Sequence, residues 1–213
     1  YVYEDSLQDV IDDELDQSDS NVLDYFDDAV INVFMSRLYE ESGDKYTHLY
    51  LPAQYTAKLE NEQEVGNSSQ WFQFTDDTAY LYITNFTEES SSYVEENASE
   101  INQFDNLILD LRGNPGGYVA AADQIADMFL EKGDVISVEN AVFDFLSQTS
   151  VSKNDPVFDF KKIIILQDGN TASAAEILIG ALRDNLDNVV ILGDTTFGKG
   201  IGQYTVPLKN GYY

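Results

Sequence analysis

The chain reads as an α/β protein built on a mainly parallel sheet, and three observations lead to that class. Three short runs, NLILDLR (106–112), KKIIIL (161–166) and NVVILG (188–193), are apolar almost throughout, as strands buried on both faces are. The first two pass through polar or glycine-rich turns into segments with apolar residues at helical spacing. The 213 residues are 43% hydrophobic, enough for one sizeable domain with a packed core. Continuous apolar strands alternating with helices predict a sheet covered by helices on both faces.

Taken in order, residues 5–16 and 20–41 read as helices. In the second, Val22, Leu23, Phe26, Val30, Val33, Phe34 and Leu38 recur at three-to-four spacing behind Ser20 as N-cap, and Gly43 ends it. After a short extended piece, a third helix starts at Pro52, where proline suits the first turn. The polar stretch NEQEVGNSSQ (61–70) reads as a linker between an N-terminal helical segment (1–60) and a core (71–213). Within the core, strands are expected at 71–75 and 78–84 around an Asp76-Asp77 turn, followed by a helix over 88–103. The strand 106–112, the turn GNPGG and the helix YVAAADQIADMFLEKG follow. Strands at 134–140 and 141–147 precede a loop with Pro156. KKIIIL then leads to a helix over 173–185, NVVILG to a glycine loop, and a last strand lies near 201–208.

Composition removes several functions. The net charge is −28, and residues 1–160 hold all of the excess, with 34 acids against 6 bases. The first 28 residues carry eleven acids and no base, while residues from 161 onward are neutral, five against five. Such a surface repels nucleic acid and anionic lipid. No calcium-loop pattern marks a cation site, so no metal is expected. No apolar run approaches the length of a membrane span. The lack of an initiator Met and of a leader pattern reads as a mature or trimmed form. There is no cysteine, which fits an extracytoplasmic protein but also many cytosolic ones, and one histidine, His48, to which no chemistry is assigned. A nucleophile here is not a thiol, and a serine served by a lysine becomes the arrangement to examine.

Ser173 follows an Ile-rich strand and a polar turn and opens a helix, where the dipole and free N–H groups favour developing negative charge. On its own, S-A-A-E reads first as a capping box, with Ser173 as N-cap and Glu176 reaching back. Lys199, in FGKGIGQ, must be neutral to serve as a base. Its reference pKa near 10.4 falls on burial and rises among carboxylates, so the neutral last quarter, with Phe197 and Ile201 beside it, is the one favourable setting. Gln203 could orient the amine without adding charge. Alone, Lys199 also reads as an ordinary hairpin lysine. The paired glycines of LDLRGNPGG permit positive φ and close backbone approach, though a tight connection alone would explain them.

Together, NLILDLRGNPGG, TASAAEIL and TTFGKGIGQ resemble, in order and spacing, the core of the carboxyl-terminal processing proteases (tail-specific serine peptidases). DKYTHLYLP resembles that family's D-P-Y-T segment, so the likeness spans roughly residues 20–213. The resemblance implies Ser173 as nucleophile, Lys199 as general base and Gln203 as the residue that positions the lysine. It implies an oxyanion hole of the Ala174 amide and an amide of the Gly116-Gly117 turn. It also implies a fold similar to the Clp protease and crotonase spiral of strand–strand–helix units. Proteins or peptides cut near their C-termini would be the substrates, outside the cytoplasm, without metal or cofactor, with self-association left open.

Two departures stand against that pattern. Only 61–70 occupies the interval where the family carries a PDZ domain, which puts tail capture by strand addition in question. The chain also stops soon after Asn210-Gly211, where the family's core continues, as if truncated or minimal. Those departures favour a second reading, a binding or scaffold protein with a misaligned dyad; the intact Ser, Lys and Gln set argues against it. An acyl-CoA enzyme of related fold is disfavoured because nothing basic marks a site for CoA phosphates. A lysine base predicts activity that rises with pH.

Overall fold

A computed structural model describes residues 33, 35–37, 40, 50–64, 69–141, 147–202 and 205. The chain divides into two compact units, Gly66–Gly202 and a second formed by residues 1–65 with 203–213. Of the helices expected at 5–16 and 20–41, only 33, 35–37 and 40 are described, and they are helical. The helix expected from Pro52 is α1, Pro52–Glu64, with Gln54 Oε1 accepting the Leu51 N–H at 3.0 Å before its first turn. It runs on through the first four residues of the expected linker. His48 and Gln203 lie outside the described residues.

Gly66–Gly202 is a mixed α/β unit, in agreement with the expected class. Its elements are β1 (Gln70–Gln73), β2 (Thr78–Tyr82), α2 (Glu88–Ile101), β3 (Asn106–Asp110), α3 (Val119–Asp127), β4 (Val135–Glu139), β5 (Gln148–Val151), β6 (Lys162–Gln167), α4 (Ala174–Asn185) and β7 (Val189–Gly193). Five strands form one sheet in the order β1-β2-β3-β6-β7, antiparallel between β1 and β2 and parallel elsewhere; β4 and β5 form a separate antiparallel pair. Local chemistry sets the helix starts. Thr87 and Ser90 cap α2 reciprocally, at 2.9 and 3.2 Å, and Glu88 and Glu89 sit at its positive end.

One sheet face carries Ala79, Leu81, Leu107, Leu109, Ile163 and Ile165, all buried. They share a single core with Val94 and Ile101 of α2, Ala122 and Ile125 of α3, and Leu178 and Leu182 of α4. Each fully buried Leu or Ile contributes about 1.5–3 kcal/mol. The expectation of a sheet covered on both faces is corrected within this unit. Strand order advances in one direction from β2 through β3 and β6 to β7, so right-handed crossovers bring α2, α3 and α4 to the same face. The opposite face shows the row Phe72, Tyr80, Ile108, Ile164 and Val190, partly or well exposed. Those outward apolar residues gave the strands their two-sided appearance in the sequence.

One further expectation changes, and another lies mostly outside the described residues. The second hairpin strand lies at Gln148–Val151, later than 141–147, of which 142–146 are outside the described residues. Near 201–208, the described Ile201, Gly202 and Thr205 are not in a strand. The parallel register places the C-terminal ends of β3 and β6 side by side, Asp110 opposite Leu166. The two turns that leave these strands therefore meet, at the edge where α/β proteins carry their sites.

Candidate active site

The turn after β6 is held by its own polar side chains. Asp168 Oδ1 accepts the Asn170 N–H at 2.9 Å and, across the gap, the Gly113 N–H of the β3 turn at 3.0 Å. Those N–H bonds keep the Asp168 carboxyl below the usual aspartate range. Thr171 is fully buried; its hydroxyl donates to the Leu111 carbonyl at 2.8 Å and accepts the Asp168 N–H at 2.9 Å. The chain then turns sharply into α4 at Ser173, which adopts φ 56° and ψ −121°. It is the one non-glycine residue with positive φ among the described residues. A left-handed serine costs about 1–3 kcal/mol and persists only where its surroundings over-determine it. A strained strand-to-helix turn of this kind carries the nucleophile of α/β-hydrolases, although their GxSxG motif is absent here.

The β3 turn passes directly against this serine. Gly116 has φ +99°, and a Cβ there would lie 2.8 Å from Ser173 Cβ and 2.9 Å from Ala174 N. Gly117 has φ +140°, and its Cβ would lie 2.2 Å from the Phe86 carbonyl oxygen. Only glycine fits either position. The two amides differ in their engagement. The Gly116 N–H donates to Asn114 Oδ1 at 2.8 Å, whereas the Gly117 N–H has no acceptor among the described residues. Of the two glycine amides expected near an oxyanion, that of Gly116 is therefore occupied.

Lys199 is half-buried and lies in a loop tied to the serine turn by one carboxylate. Glu176 Oε2 accepts the Ser173 N–H at 2.7 Å and the Lys199 N–H at 2.9 Å, while Oε1 accepts the Gly198 N–H at 2.7 Å. Phe197 N–H reaches the Thr171 carbonyl at 2.9 Å. Burial works to raise the Glu176 carboxyl, but the Thr196 side chain and the Gly198, Ser173 and Lys199 N–H groups outweigh it, so the group stays below its ordinary range. The reach-back expected of a capping glutamate is present, and the same side chain also carries the lysine loop.

Nearby, Asp110 is 3% exposed and binds the Arg112 guanidinium at 2.7–2.9 Å and the Tyr80 hydroxyl. This pair fixes the start of the glycine turn. Sequence reasoning did not single out Asn114, Asp168 or Thr171 as site-building residues. Their signal was available only as polar residues in turns that follow apolar strands. Gln203 is not among the residues whose position is described. No cluster of three or more His, Cys, Asp or Glu suited to a metal occurs among the described residues. No described helix is long and apolar enough to cross a membrane.

Comparison with known proteins identifies the family. The chain is 35% identical over 142 residues to a carboxy-terminal-processing protease of Bartonella bacilliformis, covering 63% of this chain and 32% of the relative. It is 32% identical over 138 residues to a carboxy-terminal processing protease of Bacillus subtilis, covering 62% and 27%. The chain thus spans about a third of the length of the curated relatives it matches. Among solved structures, the photosystem II D1 C-terminal processing protease superposes with a TM-score of 0.56 at 28% identity, over 63% of this chain and 35% of that one. A lipoprotein from Streptococcus agalactiae shares the fold, with a TM-score of 0.66 at 16% identity over 98% and 73%. Residues 77–213, which include both turns and the lysine loop, match peptidase family S41, and the chain belongs to that family.

Proposed function

We propose that this chain is the protease core of a serine endopeptidase that cuts proteins or peptides near their C-termini, outside the cytoplasm. Ser173 Oγ attacks the scissile carbonyl while its proton passes to Lys199 Nζ. The lysine returns that proton to the leaving amine, and an acyl-enzyme on Ser173 remains. Water, deprotonated in turn by Lys199, hydrolyses the ester. The Ala174 and Gly117 N–H groups donate to the oxyanion, with Gly116 shaping the approach. Gln203 as the residue that orients Lys199 rests on the family resemblance alone. The proposed steps use side chains, backbone and water of the site.

The observation that carries this reading is the strained backbone of Ser173 at the head of α4, with Glu176 joining that serine to Lys199 through one carboxylate oxygen. A helix cap alone gives no reason for positive φ at a serine. The names of the relatives supply the C-terminal preference. The test is cleavage of an unstructured protein by wild type, Ser173→Ala and Lys199→Ala. Both variants should lose activity on the order of 10⁴-fold. Wild type cutting no faster than either variant between about pH 6 and 10 would overturn the reading.

A further inference from the structure

Asn114 is a fully buried asparagine that the proposed chemistry leaves unused. Three separate parts of the site converge on it. Its Nδ2 donates to the Ile83 carbonyl just past β2 at 2.9 Å. Its Oδ1 accepts the Gly116 N–H at 2.8 Å. Its own carbonyl accepts the Ala172 N–H at 2.9 Å, one residue before Ser173. A buried amide side chain with both ends used is held in one rotamer, because losing either bond strands a buried polar group.

The consequence falls on the two peptide planes around Gly116. The plane that carries the Gly116 N–H is fixed by Asn114 Oδ1. The next plane is fixed by its carbonyl, since Gly116 O accepts the Phe86 N–H at 2.9 Å. In a planar trans peptide the N–H points opposite to the C=O. The Gly117 N–H, which belongs to that second plane, therefore points away from Phe86. It has no acceptor among the described residues, and its turn lies against Ser173 and Ala174.

We infer that Asn114 is a positioning residue for the oxyanion hole. By holding the Gly116 N–H it leaves the Gly117 N–H as the glycine donor that works with Ala174. The inference rests on the Ser173 reading above and deepens it.

The kinetic test is Asn114→Asp in the full chain, a near-isosteric change. The carboxylate can still accept from Gly116 but sets oxygen against the Ile83 carbonyl and brings negative charge toward the oxyanion. The expected result is a fall in kcat of about 10²–10³-fold, the loss of one oxyanion donor, with KM within about twofold. A purely structural role would lower the folded fraction and leave kcat per folded molecule unchanged, and that result would overturn the inference. A second measurement needs no variant. In wild type titrated with a peptidyl boronate that adds to Ser173, the Gly117 amide resonance should shift and gain exchange protection while Gly116 stays unchanged. A change at Gly116 without one at Gly117 would overturn the assignment. Wild type with no Ser173-dependent cleavage and no boronate adduct would remove the hydrolase reading, and Asn114 with it. Undiminished kcat in Asn114→Asp beside an active wild type would remove the Asn114 role alone.

Discussion

Ser173 and Lys199 donate their backbone N–H groups to the same oxygen, Glu176 Oε2, at 2.7 and 2.9 Å. They lie 26 positions apart in the chain, with all of α4 and all of β7 between them. The shared acceptor fixes the start of the helix and the lysine loop to one point, so neither can drift without breaking a charge-assisted bond.

The first prediction follows from that bond pair. Glu176→Ala removes every acceptor and should cost roughly 1.5–3 kcal/mol of stability, with kcat lowered by at least about 10-fold. Glu176→Gln retains one oxygen and should keep more activity. Thermal unfolding and steady-state kinetics measured together test this. Equal behaviour of the two variants would count against the shared-acceptor account.

Acid should release the lysine loop at a low pH. The Glu176 carboxyl lies below its ordinary range, so its contribution is complete above the unfolded-state value, near 4.3, and is lost as pH falls through the folded value. Exchange protection of the Gly198 and Lys199 amides should hold to about pH 4 and fail below it. Failure already near pH 6 would contradict the assignment.

Gly116→Ala should leave the fold largely in place and abolish turnover. Its Cβ would meet Ser173 Cβ at 2.8 Å and the Ala172 carbonyl oxygen at 2.8 Å, with φ in the left-handed region. The two turns must part to admit it. Circular dichroism near that of wild type, with activity down at least about 10²-fold, is expected if an oxyanion donor moves. Retained activity would show that the turns need not touch.

Asp123 offers a test away from the site. Burial lifts its carboxyl above the usual aspartate range, and the Ser150 hydroxyl, at 2.6 Å, only partly offsets this. Its Oδ1 is buried and has no hydrogen-bond partner among the described residues, and the same holds for Ser137 Oγ. A raised carboxyl makes the folded state less stable as pH climbs through the folded value. Asp123→Asn should therefore raise Tm at pH 7–8, and the gain should shrink as pH falls and the wild-type carboxyl protonates. A Tm difference that does not vary with pH would contradict this.

The sheet was legible in the sequence because three runs are apolar on both alternating positions; β3 and β7 lie within them, and β6 does so except for its last residue, Gln167. The same property misled about coverage, since Ile108, Ile164 and Val190 are apolar but face away from the helices. β5 was displaced because QTSV has no apolar alternation of its own; pairing with β4 across a register shift positions it. At the site, Ser173 at the head of a helix could be read from the strand, turn and S-A-A-E pattern. Its positive φ could not, because no residue type in the segment demands it and the turn that lies against it, at Gly116, comes some sixty residues earlier. The capping role of Glu176 was local and therefore visible. Its hold on Gly198 and Lys199 depends on a loop more than twenty residues away.

The most direct test of the central claim is covalent trapping. Wild type, Ser173→Ala and Lys199→Ala would be treated with a fluorophosphonate and digested, and the peptide bearing residue 173 weighed. A phosphonyl adduct on Ser173 in wild type, absent from Ser173→Ala and formed at least about 10²-fold more slowly in Lys199→Ala, is the predicted result. An adduct that forms as fast without the lysine, or none on Ser173 in wild type, would contradict it.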